Sequence, residues 1–299
     1  MNDTLTVLAM DSADYLLARE WNCKNLLLDS HAQIETFTFG ESSPSTLEVW
    51  PTVATGLSPE EHGIVSTSGA QDWEHPILRL GSTITRHFPD SMRRTLGRPF
   101  HQAGVKKTFA KTDAEHVFSD GHVFGWPGIT DAENLGEAWN LIRRTTFDET
   151  STQHFEGKLL GNTGQELAWA VRMSKTEAPI VGVHSHSLDI AGHVYCQQES
   201  KLRSVYEFVD SLVGWVRSEV DRLVIVSDHG TQTAYTDDEE PGRHSMRSMI
   251  GTTESGPLPE SVFEVQEWLE ERKRVGDAEK TQVESDAPIE HLRDMGYFD

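Results

Sequence analysis

The chain has 299 residues, with 48 acidic and 26 basic side chains, and its formal net charge is −22. This charge argues against non-specific binding to nucleic-acid duplexes or to anionic membranes. Only two cysteines occur, Cys23 and Cys196, so a disulfide framework is excluded. The N-terminal stretch has neither a basic segment nor a long apolar run. We therefore expect a cytoplasmic protein without a membrane span.

The acidic residues are spread along the whole chain, and arginine outnumbers lysine. This distribution is typical of halophilic proteins, and an ordinary acidic protein is the alternative. Mutual repulsion among the carboxylates destabilises the compact state at low ionic strength, and salt screens it. The composition therefore predicts a fold that salt stabilises.

The first part of the chain alternates apolar runs with helical patterns. It predicts a strand over residues 5–10, a helix over 13–20, and short strands over 26–30 and 34–39. A further helix is predicted to begin at Ser45, because Ser45 and Glu48 have the spacing of a capping box. Pro51 is expected to bend this helix or to end it early.

The later part continues the alternation. Helices are predicted over residues 134–144, 164–175, 199–219 and 263–274, and strands over 179–189 and 223–226. This order predicts a doubly wound α/β fold, with a mostly parallel central sheet and helices on both faces. We expect one catalytic domain over residues 1–270, in which 70–155 form a small cap or substrate-side region. A polar linker and a docking C-terminal segment are expected over 271–299.

Polar residues cluster where the predicted strands end. Three carboxylates and three imidazoles occupy such positions: Asp11, Asp189, His193, Asp228, His229 and His244. The carboxyl ends of parallel strands meet at one edge of a sheet, so these side chains are expected to converge. Three Asp and three His suit two close divalent ions, whose charge the carboxylates offset. Such a pair of ions, about 3.5–4 Å apart, holds the attacking and leaving oxygens of a phosphoryl displacement.

Thr46 is the candidate nucleophile for this site. It stands at a predicted helix start, where the helix dipole and unpaired amides favour a negative oxygen, and metal coordination would lower its pKa. The alternative is an ordinary first-turn residue. His184 and His186 alternate on a strand and point the same way, so they could line the site, although a structural role is favoured. Cys196, three residues after His193, is a weaker candidate for a metal ligand.

The order of the motifs resembles the alkaline phosphatase superfamily, and most closely its type I phosphodiesterase/nucleotide pyrophosphatase branch. The matching pieces are Asp11, Thr46, TGLSPEEHGI at 55–64, DIAGH at 189–193, SDHG at 227–230 and GRH at 242–244. The resemblance implies an alkaline-phosphatase-like fold and hydrolysis of a small-molecule phosphoric ester, with a phosphodiester or nucleotide-type substrate favoured. A phosphomonoesterase or phosphotransferase is the alternative within the superfamily. A metal-binding protein without turnover is the alternative outside it.

The resemblance also implies a role for each residue. One ion would be held by Asp11, Asp228 and His229, with Thr46 as the fourth ligand and the nucleophile. The other ion would be held by Asp189, His193 and His244. Attack by Thr46 would form a covalent phospho-threonine, which water activated at the second ion would release. The two divalent ions are expected to be zinc, with manganese as the alternative.

Two positions depart from the family pattern. Thr67 stands where nucleotide pyrophosphatases place an asparagine that donates to a phosphoryl oxygen, and its hydroxyl is the candidate replacement. Leu47 and Glu48 follow the nucleophile where many members have an apolar residue and a proline. Neither cysteine lies in a C-x-P-x-R context, so formylglycine sulfatase chemistry is disfavoured.

Overall fold

The computed structural model describes residues 3–40, 42–65, 71–73, 107–131, 133–146, 150–276, 278 and 287–296. The strands are β1 (Leu5–Met10), β2 (Ser30–Ile34), β3 (Gln71–Trp73), β4 (Lys107–Phe109), β5 (His122–Phe124), β6 (Ile180–Ser185), β7 (Arg222–Val226), β8 (Gly230–Thr231), β9 (His244–Ser245) and β10 (Ser248–Thr252). The helices are α1 (Tyr15–Glu20), α2 (Lys24–Leu27), α3 (Thr46–Thr55), α4 (Pro59–His62), α5 (Glu133–Thr146), α6 (Thr152–Ser174), α7 (Ser187–Tyr195), α8 (Glu199–Glu219), α9 (Val265–Glu270) and α10 (Ile289–Asp294).

Six of the strands form a mixed central sheet in the order β2-β10-β7-β1-β6-β5. Strand β1 pairs in parallel with both β6 and β7, and β5 pairs in parallel with β6. Strand β10 runs antiparallel to its neighbours β7 and β2. The prediction of a mostly parallel α/β sheet is therefore confirmed.

The central strands are apolar on both faces because helices cover both sides of the sheet. On β1, Leu8 and Met10 pack into one core cluster together with side chains of α1, α2, α6 and α8. Val7 and Ala9 point to the opposite face and pack with side chains of α3 and α9. Alternate side chains of a strand point to opposite faces, so a centrally placed strand with helices on both sides reads as an unbroken apolar run.

Helix α3 starts where it was predicted to, with Ser45 as the residue before its first turn, but it differs from the prediction in its capping interaction and in its end. The Ser45 side chain makes no hydrogen bond to the first-turn amides, so the predicted capping box at the helix start is wrong. A capping box forms instead at α4, where Glu61 accepts hydrogen bonds from the amide and the hydroxyl of Ser58. Helix α3 continues past Pro51 to Thr55, four residues beyond the proline, so it does not end early.

The stretch at residues 26–30 is not the predicted strand. Residues Lys24–Leu27 form α2, and the strand begins only at Ser30. The carboxylate of Asp210, on α8, accepts hydrogen bonds from the amides of Asn25 and Leu26 at 2.8 and 2.9 Å. This long-range contact satisfies two amides at the start of the helix, and leucine is itself a good helix former, so the apolar run alone did not distinguish a strand from a short buried helix.

Part of the predicted domain organisation lies outside the described residues. Strands β3 and β4 pair with each other and, like α5, fall within 70–155. The sequence also predicts a helix over residues 91–104, which lies outside the described part of the chain, as do residues 279–286 of the region expected to hold the linker. Among the described helices, none combines the length and the apolar character needed to cross a membrane.

Candidate metal centre

The first cluster consists of Asp11, Asp228 and His229, which are completely buried. Asp11 follows β1, and Asp228 and His229 follow β7. These strands are parallel neighbours in register, so their carboxyl ends coincide. His229 Nε2 lies 3.4 Å from Asp11 Oδ1 and 3.2 Å from Asp228 Oδ2. Thr46 Oγ1, at the first residue of α3, lies 3.2 Å from the same nitrogen.

The second cluster consists of Asp189, His193 and His244. Asp189 and His193 are one helical turn apart on α7, and His244 comes from β9. His193 Nε2 and His244 Nε2 lie 3.3 and 3.4 Å from Asp189 Oδ1, and 3.3 Å from each other. The DIAGH segment is helical, so the i, i+4 spacing brings the carboxylate and the imidazole together.

The separations within both clusters fit a bound divalent ion. Tetrahedral ligation at about 2.0–2.1 Å places the ligand atoms about 3.3–3.4 Å apart. The separations from His229 Nε2 and those within the second cluster lie between 3.2 and 3.4 Å. Asp11 and Asp228 also have buried carboxylate oxygens without a hydrogen-bond partner. Oxygen and imidazole donors arranged in this way are the ligands that zinc and manganese accept.

Backbone carbonyls orient the three imidazoles toward the clusters. His193 Nδ1 lies 2.7 Å from the carbonyl of Gly242, and His244 Nδ1 lies 2.7 Å from that of Pro44. His229 Nδ1 lies 3.1 Å from the carbonyl of Gly230. When Nδ1–H donates to a carbonyl, the Nε2 lone pair is left to face a metal ion, and partners of this kind fix the tautomer of metal-binding histidines.

The two clusters are in direct contact. The ring of His229, from the first cluster, stacks on the ring of His244, from the second, with centroids 3.7 Å apart and an interplanar angle of 14°. Thr46 contacts the first of these rings. A phosphoryl group beside Thr46 would therefore lie close to both clusters.

Burial and mutual charge set the protonation of the first cluster. Burial raises the pKa of Asp228 well above its usual value, and the charge of Asp11 adds to the rise. Burial is the largest effect on Asp11 and acts to raise its pKa, but the positive charge of His186 and the side-chain contacts of His184 and His186 with the carboxylate together outweigh it, and the pKa falls. Burial, and then the charge of His244, lower the pKa of His229 to about 3, so this imidazole is neutral and able to act as a ligand at pH 7.

The second cluster has the opposite electrostatic balance. The carboxylate of Asp189 raises the pKa of His193 to about 9. For His244, burial is the largest effect and acts to lower the pKa, but the hydrogen bond to Asp189, the charge of Asp189 and the hydrogen bond to Pro44 together outweigh it, and the pKa rises. An ion that binds here at neutral pH therefore displaces a proton from His193.

Two further histidines lie against the first cluster. His184 Nε2 and His186 Nδ1 lie 3.4 and 2.5 Å from Asp11 Oδ2, and these three residues form a third group of possible ligands. The 2.5 Å separation is shorter than an edge of a tetrahedral site and fits an ion pair with a protonated imidazole. Sequence reasoning favoured structural roles for both histidines. The two histidines alternate along the chain at the end of β6, and β6 pairs with β1, which ends just before Asp11. This spacing was the sequence signal that both side chains approach Asp11.

Two sequence candidates remain, Thr67 and Cys196. Thr67 lies outside the described residues. Cys196 belongs to none of the three groups of possible ligands found among the described residues.

A mostly parallel α/β sheet with carboxylate–imidazole clusters beyond its strand ends defines an α/β protein with a candidate metal centre. Residues 41–286 match the family model for type I phosphodiesterase/nucleotide pyrophosphatase. The chain belongs to this family, as its motifs predicted.

A curated relative is an uncharacterized pyrophosphatase/phosphodiesterase of Schizosaccharomyces pombe, 24% identical over 238 residues. The match covers 76% of this chain and 44% of the relative, so the chain spans less than half of that protein. Among solved structures, alkaline phosphatase from the Antarctic bacterium TAB5 is 12% identical with a TM-score of 0.48, covering 91% of this chain and 97% of that one. Murine ectonucleotide pyrophosphatase/phosphodiesterase 5 is 16% identical with a TM-score of 0.40, covering 76% and 57%.

Proposed function

We propose that the chain hydrolyses a phosphodiester or nucleotide-type substrate by way of a covalent phospho-threonine at Thr46. The observation that carries this proposal is the position of Thr46 Oγ1, 3.2 Å from His229 Nε2 and at the first residue of the ten-residue helix α3. A threonine with a purely structural role would have no need to lie beside buried residues that could hold a metal ion. The start of a helix also favours a negative oxygen.

Two divalent ions complete the proposed site, with zinc favoured and manganese as the alternative. Asp11, Asp228 and His229 hold one ion together with Thr46. Asp189, His193 and His244 hold the other. When bound, the ions supply Lewis acidity that lowers the pKa of the Thr46 hydroxyl and stabilises negative charge on the phosphoryl oxygens.

The proposed reaction has two displacements. Thr46 Oγ forms a bond to phosphorus as the ester P–O bond breaks, and the alcohol departs with its electron pair and takes up a proton. Water then attacks phosphorus, the Thr46 Oγ–P bond breaks, and the threonine hydroxyl is regenerated. Thr67 is proposed to donate a hydrogen bond to a phosphoryl oxygen during both displacements.

The variant Thr46→Ala tests the covalent step. It removes the nucleophile and none of the carboxylates or imidazoles, so the protein should still bind two equivalents of Zn²⁺ while losing at least about 10³-fold in kcat. Thr55→Ala is the matched control, because Thr55 is a threonine of the same helix and is equally buried, at 7% exposed. It should keep nearly full turnover.

Activity is measured on p-nitrophenyl phosphate and bis(p-nitrophenyl) phosphate with Zn²⁺ or Mn²⁺, and bound metal is measured separately by elemental analysis. Faster cleavage of the diester supports the phosphodiesterase assignment, and faster cleavage of the monoester favours a phosphomonoesterase. Near wild-type turnover by Thr46→Ala would rule out the phospho-threonine. A parent protein that binds two ions but cleaves neither ester would be a metal-binding protein without turnover on these substrates.

A further inference from the structure

The two clusters differ in what supports them. The ligands of the first cluster follow β1 and β7, which are paired at the centre of the sheet. In the second cluster, α7 supplies Asp189 and His193, but His244 lies on the hairpin formed by β8 and β9. Each strand of this hairpin has only two residues, and the His244 side chain is 20% exposed. Such a short hairpin needs other contacts to hold it in place.

Asp14 supplies the first of these contacts. Its carboxylate is completely buried, and Oδ1 caps α1 by accepting from the amides of Leu16 and Leu17. Its other oxygen, Oδ2, accepts hydrogen bonds from Thr231 N at 3.1 Å and from Ser245 Oγ at 3.1 Å. Thr231 belongs to β8 and Ser245 to β9, so one carboxylate ties both strands of the hairpin to the start of α1.

Arg247 supplies the second contact. Its Nε donates to Asp14 Oδ2 at 2.7 Å, and one terminal nitrogen donates to the carbonyl of Thr231 at 2.7 Å. Its two terminal nitrogens also reach the two oxygens of Asp238 at 2.9 and 2.8 Å. Asp238 in turn accepts from the amide of Thr233 at 2.8 Å and lies in the loop that joins the two strands. The planar guanidinium makes four hydrogen bonds to these three groups from three nitrogens in fixed positions, whereas an ammonium group has only three N–H donors on a single nitrogen.

We propose that Asp14 and Arg247 are positioning residues that hold His244 in the second cluster. Thr231 is the register partner of His244 across the hairpin, and Ser245 is the next residue along the chain. The pair therefore fixes the backbone on both sides of the imidazole that lies 3.4 Å from Asp189 and 3.3 Å from His193. A metal ligand tolerates a displacement of only about 0.5 Å before its ion is held less tightly.

This proposal rests on the proposed two-ion site and predicts an asymmetry within it. A purely stabilising ion pair would, when weakened, lower the stability of the fold without distinguishing the two clusters. Residues that act through His244 would weaken Zn²⁺ binding at the second cluster and leave the first nearly unchanged.

The test measures the two Zn²⁺ dissociation constants by chelator competition for the parent, Arg247→Lys and His244→Ala. His244→Ala identifies the binding step that belongs to the second cluster. Arg247→Lys keeps a positive charge beside Asp14 but loses the planar array of N–H donors. It should therefore weaken Zn²⁺ binding at the second cluster by about 10–100-fold. The other step should change less than about threefold. Arg222→Lys is the matched control. Arg222 donates two hydrogen bonds to the carboxylate of Glu254, and its side chain is likewise 19% exposed. This substitution should leave both dissociation constants unchanged.

The double variant Arg247→Lys, His244→Ala tests whether the arginine acts through His244. It should bind Zn²⁺ like His244→Ala alone, because a positioning residue has no further effect once its target is gone. Ser245→Ala, which removes one hydrogen bond to Asp14, should weaken the same step to a lesser degree and replaces Arg247→Lys if that variant does not fold. Equal weakening of both steps, or no weakening in either folded variant, would overturn the proposal. A parent protein that binds no Zn²⁺ would instead refute the two-ion site.

Discussion

Glu166 has a buried carboxyl group, and this burial should affect how the free energy of unfolding depends on pH. It is 3% exposed and accepts a hydrogen bond from Asn134 Nδ2 at 3.0 Å. Burial raises the pKa of Glu166 to about 7, against a usual value of 4.5. A raised carboxyl pKa means that the folded state holds the proton at a pH where the unfolded chain has released it.

The variant Glu166→Gln should therefore change the slope of stability against pH. In the parent, the stability linked to Glu166 is fully present below about pH 4.5 and is lost as the pH rises to about 7, by about 3 kcal/mol at most. The amide cannot ionise, so the variant should lack this loss and should be the more stable protein above pH 7. Urea unfolding of chelator-treated protein from pH 5 to 8 measures the effect. Parallel curves of unfolding free energy against pH for the parent and the variant would contradict the raised pKa of Glu166.

Helix α7 contains a glycine whose small size, and not its flexibility, is needed. A Cβ added to Gly192 would meet Thr231 Oγ1 at 2.5 Å and Thr231 Cγ2 at 2.8 Å. The helix that carries Asp189 and His193 therefore packs directly against β8 of the hairpin. Only a residue without a side chain allows this approach.

The variant Gly192→Ala should destabilise the fold, although alanine is the better helix former. Overpacking at this contact should cost about 1–3 kcal/mol and should weaken Zn²⁺ binding at the second cluster. Gly164→Ala in α6 is the matched control, because a Cβ there meets nothing within 4 Å. It should stabilise the protein by about 0.5–1 kcal/mol. Equal effects of the two substitutions on urea unfolding would show that the contact with Thr231 is unimportant.

At the scale of the whole molecule, the net charge of −22 sets the response to salt. The Debye length falls from about 10 Å at 0.1 M salt to about 3 Å at 1 M, so repulsion among dispersed carboxylates is screened. Exposed ion pairs such as Lys175–Glu219 are screened as well, but each contributes little. We expect the melting temperature to rise between 0.1 and 1 M KCl. A melting temperature that stays level or falls over this range would favour an ordinary acidic protein over a halophilic one.

The sequence by itself determined the family and the strands at the centre of the sheet. Strands β1, β6 and β7 were predicted because a strand covered on both faces is a local apolar run, readable without knowledge of its partners. The residues after these strands could be grouped because parallel strands bring their carboxyl ends to one edge. The roles of Thr46 and of the six proposed ligands remain predictions, as does the role of Thr67.

Only the tertiary structure decided how these pieces meet. The close approach of α7 to β8 brings Gly192 of the DIAGH segment against Thr231, which lies far away in the sequence. The contact of His184 and His186 with Asp11 depends on the pairing of β6 with β1. The link from Asp14 to Arg247 spans more than 230 residues. Apolar periodicity reports which side chains are buried, but partners in a buried polar network are chosen by distance and geometry, which local sequence does not encode.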